Sequence, residues 1–200
     1  MASTRRRQTP SQTIGPFFAY GLTPEQYGYP FKSLVTSDVA GELTEGQRIR
    51  LIGQVLDGKG EPINDAMVEI WQADAKGRFP WERRLDNSRD PGFTGFGRCG
   101  TGADPDARFM IDTIKPGVIA DGLAPYLNVV LTMRGLLNHL FTRIYFGDET
   151  AANADDPVLK KVPAERRATL LAHRDPTAAG IVYRFDIHMQ GPNETVFFDM

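Results

Sequence analysis

Chemistry needs nucleophilic, titratable or metal-binding side chains at short spacing, and this sequence offers few of them. Its three histidines, His139, His173 and His188, are scattered, and Cys99 is the only cysteine. The spacings of a Gly-rich phosphate loop, HExxH, GxSxG or paired cysteines are absent. Cys99 lies in Gly97-Arg98-Cys99-Gly100 with no histidine within 39 residues, so it reads as a small apolar filler rather than a nucleophile. His173 follows a stretch of helical character and suits the negative end of a helix dipole. His188 alternates with Arg184 and Asp186 along a strand, the setting of a cross-strand or solvated pair. His139 is open to a metal, yet no second histidine or carboxylate stands beside it at ligand spacing. Asp148 and Glu149 belong to a turn after a strand. The residues alone therefore give a β-rich domain, with a binding module as the functional class they permit.

The elements that must position these side chains are mostly short strands. Two hundred residues fit one domain with a long arm, and 41% hydrophobic with 24% charged content excludes a disordered or fibrous chain. A formal net charge of -2 gives no basic footprint for nucleic acid and no cationic face for a membrane. No run approaches the ~18 apolar residues of a membrane span. From Arg48 onward, Ile49, Leu51, Gly53 and Val55 alternate with their neighbours before the turn Asp57-Gly58-Lys59-Gly60. Residues 66–73 predict a second strand, and further strands are expected at 108–114, 126–133, 140–146, 181–189 and 195–198. Short, turn-bounded strands favour a sandwich or barrel over alternating β/α units. One helix is expected at 163–172, with proline in its first turn, Glu165 early, and His173 and Arg174 ending it.

Residues 1–46 hold Pro10, Pro16, Pro24 and Pro30 without sustained periodicity and read as an arm. Its aromatics, Phe17, Phe18, Tyr20, Tyr27, Tyr29 and Phe31, must lie against this domain or a partner. Residues 81–96 read as a long loop, of the length that is usually functional or contact-making. Arg5-Arg6-Arg7 precedes polar residues rather than an apolar run, so it is expected to belong to a flexible arm and not to an export signal. A lone cysteine forms no internal disulfide, which fits a reducing cytoplasm, and the chain is expected there.

Gly53 to Ile63 (Gly-Gln-Val-Leu-Asp-Gly-Lys-Gly-Glu-Pro-Ile) followed by Val68 to Phe79 (Val-Glu-Ile-Trp-Gln-Ala-Asp-Ala-Lys-Gly-Arg-Phe) resembles the signature of the intradiol ring-cleaving dioxygenases. Phe96-Gly97-Arg98, Thr113-Ile114-Lys115-Pro116-Gly117 and Arg143-Ile144-Tyr145-Phe146-Gly147-Asp148 agree with that family in order. Pro10-Ser11-Gln12-Thr13-Ile14-Gly15-Pro16-Phe17, together with residues 183–187 and 194–199, looks like the two ends of the iron-free alpha subunits in its two-subunit members. The resemblance implies a mainly all-β fold: a β-sandwich of mixed topology with an extended N-terminal arm and one or two short helices. It divides the chain into an interface and pocket-lining arm at 1–46 and a sandwich domain at 47–200.

In the family's catalytic chains a ferric iron held by two tyrosines and two histidines activates a bound catecholate for attack by dioxygen. Carried over residue by residue, the tyrosine after Lys-Pro-Gly falls on Val118, and the histidine pair falls on Tyr126 and Asn128. The other tyrosine belongs in the loop between Phe79 and Phe93. Yet no tyrosine occurs between Tyr29 and Tyr126, and no histidine precedes His139. Valine has no donor atom, and one Tyr with one Asn cannot replace four anionic or imidazole ligands. The resemblance thus implies no metal and no catalytic residue in this chain, with Fe(III) held by a partner beta subunit in a hetero-oligomer of alpha–beta protomers.

It also implies that Thr13, Gly15, Pro16, Phe17 and Arg134 line the partner's cleft. Gly15-Pro16 would give a fixed bend with close backbone approach, and Arg134 would fork onto a substrate carboxylate. Phe17 stands where the family usually carries a tyrosine and so lacks its hydroxyl. The assembled enzyme is expected to open protocatechuate between its hydroxylated carbons with O2, giving 3-carboxy-cis,cis-muconate in the beta-ketoadipate pathway. Two other readings stay open: a working dioxygenase with a metal site using Tyr126 and His139, and a metal-free β-sandwich binding module for small aromatics or sugars.

Overall fold

The structure, a computed structural model, describes residues 8–81 and 92–199. The Arg5-Arg6-Arg7 run and most of the expected 81–96 loop lie outside the described residues. Strict alternation makes the first strand: β1, Arg48–Leu56, buries Ile49, Leu51, Gly53 and Val55 and turns Arg48 and Arg50 to solvent. The other strands are β2 (Met67–Trp71), β3 (Phe96–Gly100), β4 (Arg108–Ile114), β5 (Tyr126–Thr132), β6 (Leu140–Phe146), β7 (Leu171–Arg174), β8 (Val182–Arg184) and β9 (Ile187–His188). Their lateral order is β3-β2-β5-β6-β7-β8-β1-β4, with β9 also beside β1.

Two layers result. In one, β3, β2, β5 and β6 pair antiparallel. In the other, β1 is antiparallel to β4 but parallel to β8 and β9. The topology is mixed, as expected. Leu51, Val55, Phe109 and Ile111 from one layer join Val68, Ile70, Leu127, Val129, Leu131 and Ile144 from the other in a single buried cluster. Each such side chain contributes roughly 1.5–3 kcal/mol when fully buried.

Helices fill the remaining faces: α1 (Phe17–Leu22), α2 (Thr150–Asp155) and α3 (Pro157–Lys161), with three short 3-10 turns. This is more helix than the one or two expected, but every piece is short. α3 carries proline in its first turn and Lys160 and Lys161 in its last, which suits both ends of its dipole. Its N-cap, Asp156, is fully buried. The carboxylate accepts from the Val158 and Leu159 amides at 2.8 and 2.9 Å, from the Ala124 amide at 3.0 Å, and from the Tyr145 hydroxyl at 3.3 Å. That one side chain joins the helical cover to β5 and β6. Beneath it Tyr126, Tyr145, Leu159, Val162 and Leu170 form a second apolar cluster on the outer face of the sheet.

Several expectations change. Residues 163–172 form a 3-10 turn, Ala164–Leu170, and the chain then enters β7. Leu171 and Ala172 complete the ladder beside β6, and that tertiary pairing outweighs local helix propensity. His173 therefore stands opposite Arg184 in a strand and does not end a helix. The strand expected at 181–189 is broken. Phe185 and Asp186 separate β8 from β9, with the Phe185 amide donating to Ile52 O at 2.9 Å and Asp186 Oδ1 accepting from the Gln54 amide at 2.9 Å. His188 consequently no longer shares one continuous strand with Arg184. Residues 195–198 make a single bridge, Phe198 to Phe141, rather than a strand. The residues before β1 are more regular than an arm without periodicity implies. α1 and a 3-10 turn at Pro24–Tyr27 set Tyr20 edge-on to Tyr27 at 4.6 Å, while Val39 enters the main core.

Two packing constraints are directly testable. A Cβ on Gly53 would lie 1.7 Å from the Phe185 carbonyl oxygen and 2.7 Å from the Phe109 ring. Gly53→Ala should therefore cost about 3 kcal/mol, read as a lower urea midpoint. Asp156→Ala strands buried donors on two elements and should cost about 2–4 kcal/mol, whereas Asp156→Asn, which keeps an acceptor, should cost clearly less in the same measurement.

Candidate functional site

Strand pairing explains what became of the expected ligand positions. In antiparallel pairs, residues directly opposite share a face. Phe96, Trp71, Asn128 and Arg143 are matched in turn across β3, β2, β5 and β6, and Tyr126 is matched with Tyr145 one step along. These side chains line the outer face, away from the main core. The Arg143 guanidinium lies 4.1 Å from the centre of the Tyr126 ring, and its Nη1 donates to the Tyr145 hydroxyl at 3.3 Å. Burial pushes the Tyr145 phenol up to about 12, against the pull of Arg143, so it stays protonated and donates to Asp156.

Val118 is exposed. Its carbonyl sits where a Cβ on Gly77 would come within 1.9 Å, and Gly77 has a φ of 74°. The Lys115-Pro116-Gly117 segment thus packs on the 74–78 turn through a glycine that no other residue replaces without strain. Valine without a donor, a tyrosine ring under a cation and a carboxamide do not fit a ferric ion. Among the described residues, no three His, Cys, Asp or Glu side chains converge as a metal-binding group. Tyr126 and His139 do not share a site either. Tyr126 opens the β5–β6 pairing and Leu131–Leu140 ends it, five residues or ~17 Å along, while His139 packs edge-on to Phe141 at 4.7 Å.

The residues expected to line a neighbouring cleft are brought together in part. Thr13 Oγ1 accepts from the Gly135 amide at 2.8 Å, so the N-terminal segment is pinned beside Arg134. Arg134 is 67% exposed on its side chain, and its Nε stands 3.0 Å from Oδ2 of Asp65, which is only 10% exposed. Gly15 and Pro16 lead into α1, with the Phe18 and Ala19 amides donating back to their carbonyls. Among the described residues, nothing beyond its chain neighbours comes within 4 Å of a Cβ on Gly15, so the close backbone approach expected there is not made by them. Phe17 begins α1 and is 79% exposed. Cys99 is buried in the core, where burial raises its thiol pKa, and it accepts from Gln26 Nε2 at 3.2 Å.

Asp65, Arg143 and Asp156 were not singled out from the sequence. The alternation of β6 could have put Arg143 on the outer face, but its place over Tyr126 follows from a register that only the fold sets. Asp156 carried a readable signal, an N-cap directly before Pro157.

Comparison with known proteins agrees with this architecture. A family model described as Dioxygenase (Dioxygenase_C) matches residues 15–191. The chain is 57% identical over 198 residues to a protocatechuate 3,4-dioxygenase alpha chain of Burkholderia cepacia, covering 98% of this chain and all of that one. It is 36% identical over 162 residues to the corresponding beta chain of that organism, covering 75% of this chain and 67% of the other. A solved intradiol ring-cleavage dioxygenase of Tetranychus urticae superposes with a TM-score of 0.61 at 18% identity, over 80% of this chain and 88% of that one, a likeness of fold. With a family model spanning most of its length and an alpha-chain relative matched nearly end to end, this chain belongs to the intradiol ring-cleaving dioxygenase family.

Proposed function

We propose that this chain is the iron-free alpha subunit of a protocatechuate 3,4-dioxygenase, paired with a beta subunit that holds Fe(III). The observation that carries the reading is the fate of the ligand positions. Val118, Tyr126 and Asn128 cannot hold the metal, while the surrounding fold is that of the family. The assembled enzyme cleaves protocatechuate between its hydroxylated carbons with O2 to give 3-carboxy-cis,cis-muconate, a step of the beta-ketoadipate pathway. Ring opening belongs to the partner's centre, and this chain's contribution is to bind and orient. No helix among the described residues is long and apolar enough to cross a membrane, and the lone buried cysteine is compatible with a cytoplasmic complex.

The segment at 1–46 serves as the interface and pocket-lining region, and residues 47–200 as the sandwich that presents it. Phe17, Phe18 and Phe31 are each exposed on that segment, apolar side chains of the kind a partner subunit covers. Thr13, Gly15, Pro16, Phe17 and Arg134 face the shared cleft. Arg134 meets the substrate carboxylate through the edge of its guanidinium not engaged by Asp65, and the Thr13–Gly135 hydrogen bond fixes the loop that carries it.

A charge-assisted hydrogen bond is worth roughly 1.5–3 kcal/mol, or about tenfold or more in affinity. Arg134→Ala in the assembled enzyme should raise KM for protocatechuate by about tenfold or more, and for uncharged catechols far less. Equal loss on both substrates, or none, would remove Arg134 from the pocket. Iron content and visible absorption test the larger reading. The chain purified alone should hold no iron, and co-expression with its partner should give a red-brown ferric tyrosinate band and ring cleavage. Iron held by the lone chain would overturn the assignment.

A further inference from the structure

The vacated metal position is not simply erased. Arg143 stands directly opposite Asn128 and lies over the Tyr126 ring, so a fixed cation occupies the neighbourhood of both former ligand positions. It is partly buried, and among the described residues no carboxylate lies within ion-pair distance of it. Among the described residues its guanidinium donates from Nη1 to the Tyr145 hydroxyl. A guanidinium has five donors, and stacking on Tyr126 engages its face rather than its edge. The buried Asp156 carboxylate reaches it only through that hydroxyl, and the donors left on the guanidinium edge have the fork geometry that fits a carboxylate.

The row continues into aromatic side chains. Trp71 lies beside Asn128 and packs against Phe96 at 4.0 Å and Trp81 at 5.4 Å, while Phe79 stacks on Trp81 at 4.7 Å. Trp71 and Trp81 both remain substantially exposed, so the apolar wall has a free surface. A cation, a carboxamide and an indole in sequence along one sheet face match, in order, a carboxylate and the ring that carries it. We propose that this outer face is a metal-independent binding site for a planar aromatic carboxylate, with Arg143 and Asn128 holding the carboxylate and Trp71 the ring. The site lies wholly within this chain and does not depend on the partner's iron or on Arg134.

Trp71 and Trp81 are the chain's only two tryptophans, so their emission reports on this surface. The experiment titrates the full chain, without partner or iron, with benzoate, following tryptophan emission and the heat of binding. Saturable binding with a dissociation constant of about 1 mM or below is expected, with neutral benzamide at least about tenfold weaker. Arg143→Gln should weaken benzoate about tenfold or more. Asn128→Asp, which keeps Arg143 but sets a carboxylate opposite it, should do the same, and unchanged urea midpoints would show that both variants are folded. Arg50→Gln, on an exposed arginine of the other layer, should leave the titration as it was. Absence of saturation, equal binding of benzamide, equal competition by inorganic phosphate, or retention of binding on Arg143→Gln would each overturn the proposal. A failure here leaves the alpha-subunit reading standing, because that reading is tested by iron content and KM in the assembled enzyme.

Discussion

The two layers of this sandwich are joined laterally by a strand of four residues. Leu171 and Ala172 pair parallel with Tyr145 and Phe146, and His173 and Arg174 pair antiparallel with Arg184 and Tyr183. Within that span the chain passes from one layer to the other. The junction is reinforced by a small polar network rather than by length. The Tyr183 hydroxyl donates to Asp148 at 2.8 Å, and Lys115 spans Asp148 and Glu149 at 3.1 and 2.6 Å while lying over the Phe146 ring. Lys115 is largely buried, so these contacts act in a medium where water screens them less than at an open surface. Both the core and the outer face depend on this connection, because it ties β6, already registered against β5, to the other layer.

What the outer face became follows from β6. With the register set, Arg143 must stand opposite Asn128, and the helical cover must close over Tyr126 and Tyr145. The residues at the expected ligand positions each have a place in the packing. One has become part of an apolar cluster, one has gained a cation beside it, and Val118 offers its backbone, not its side chain, to the packing of the 74–78 turn. The cluster that joins the layers is built of hydrophobic side chains from both of them, and none of the three expected ligand positions belongs to it.

The sequence was legible where one rule acted alone. β1, β4 and β6 were readable from alternation because each has one face in the core and one outside. The stretch at 163–172 misled because its helix-favouring composition gave way at Leu171 to a parallel partner remote in sequence. β3 escaped notice because Gly97 and Gly100 are poor strand formers, used here because Val39 and Tyr27 approach the backbone too closely for a side chain. At the site, the donor chemistry of Val118, Tyr126 and Asn128 is a property of the side chains themselves and can be read without a fold. Arg143 over Tyr126 and Asp65 beside Arg134 are products of register and loop closure, and neither pairing can be read from spacing.

The placement of β8 and β9 also bears on how the chain is made. β1, near residue 50, finds its parallel neighbours only at 182–188, so one side of an interior strand is bare until more than a hundred further residues have left the ribosome. Pairings so distant in sequence make for slow acquisition of structure, and an unfinished strand edge is an invitation to aggregation. Yield of this polypeptide in a foreign host should therefore be sensitive to chaperone supply while residues 182–188 are still unmade.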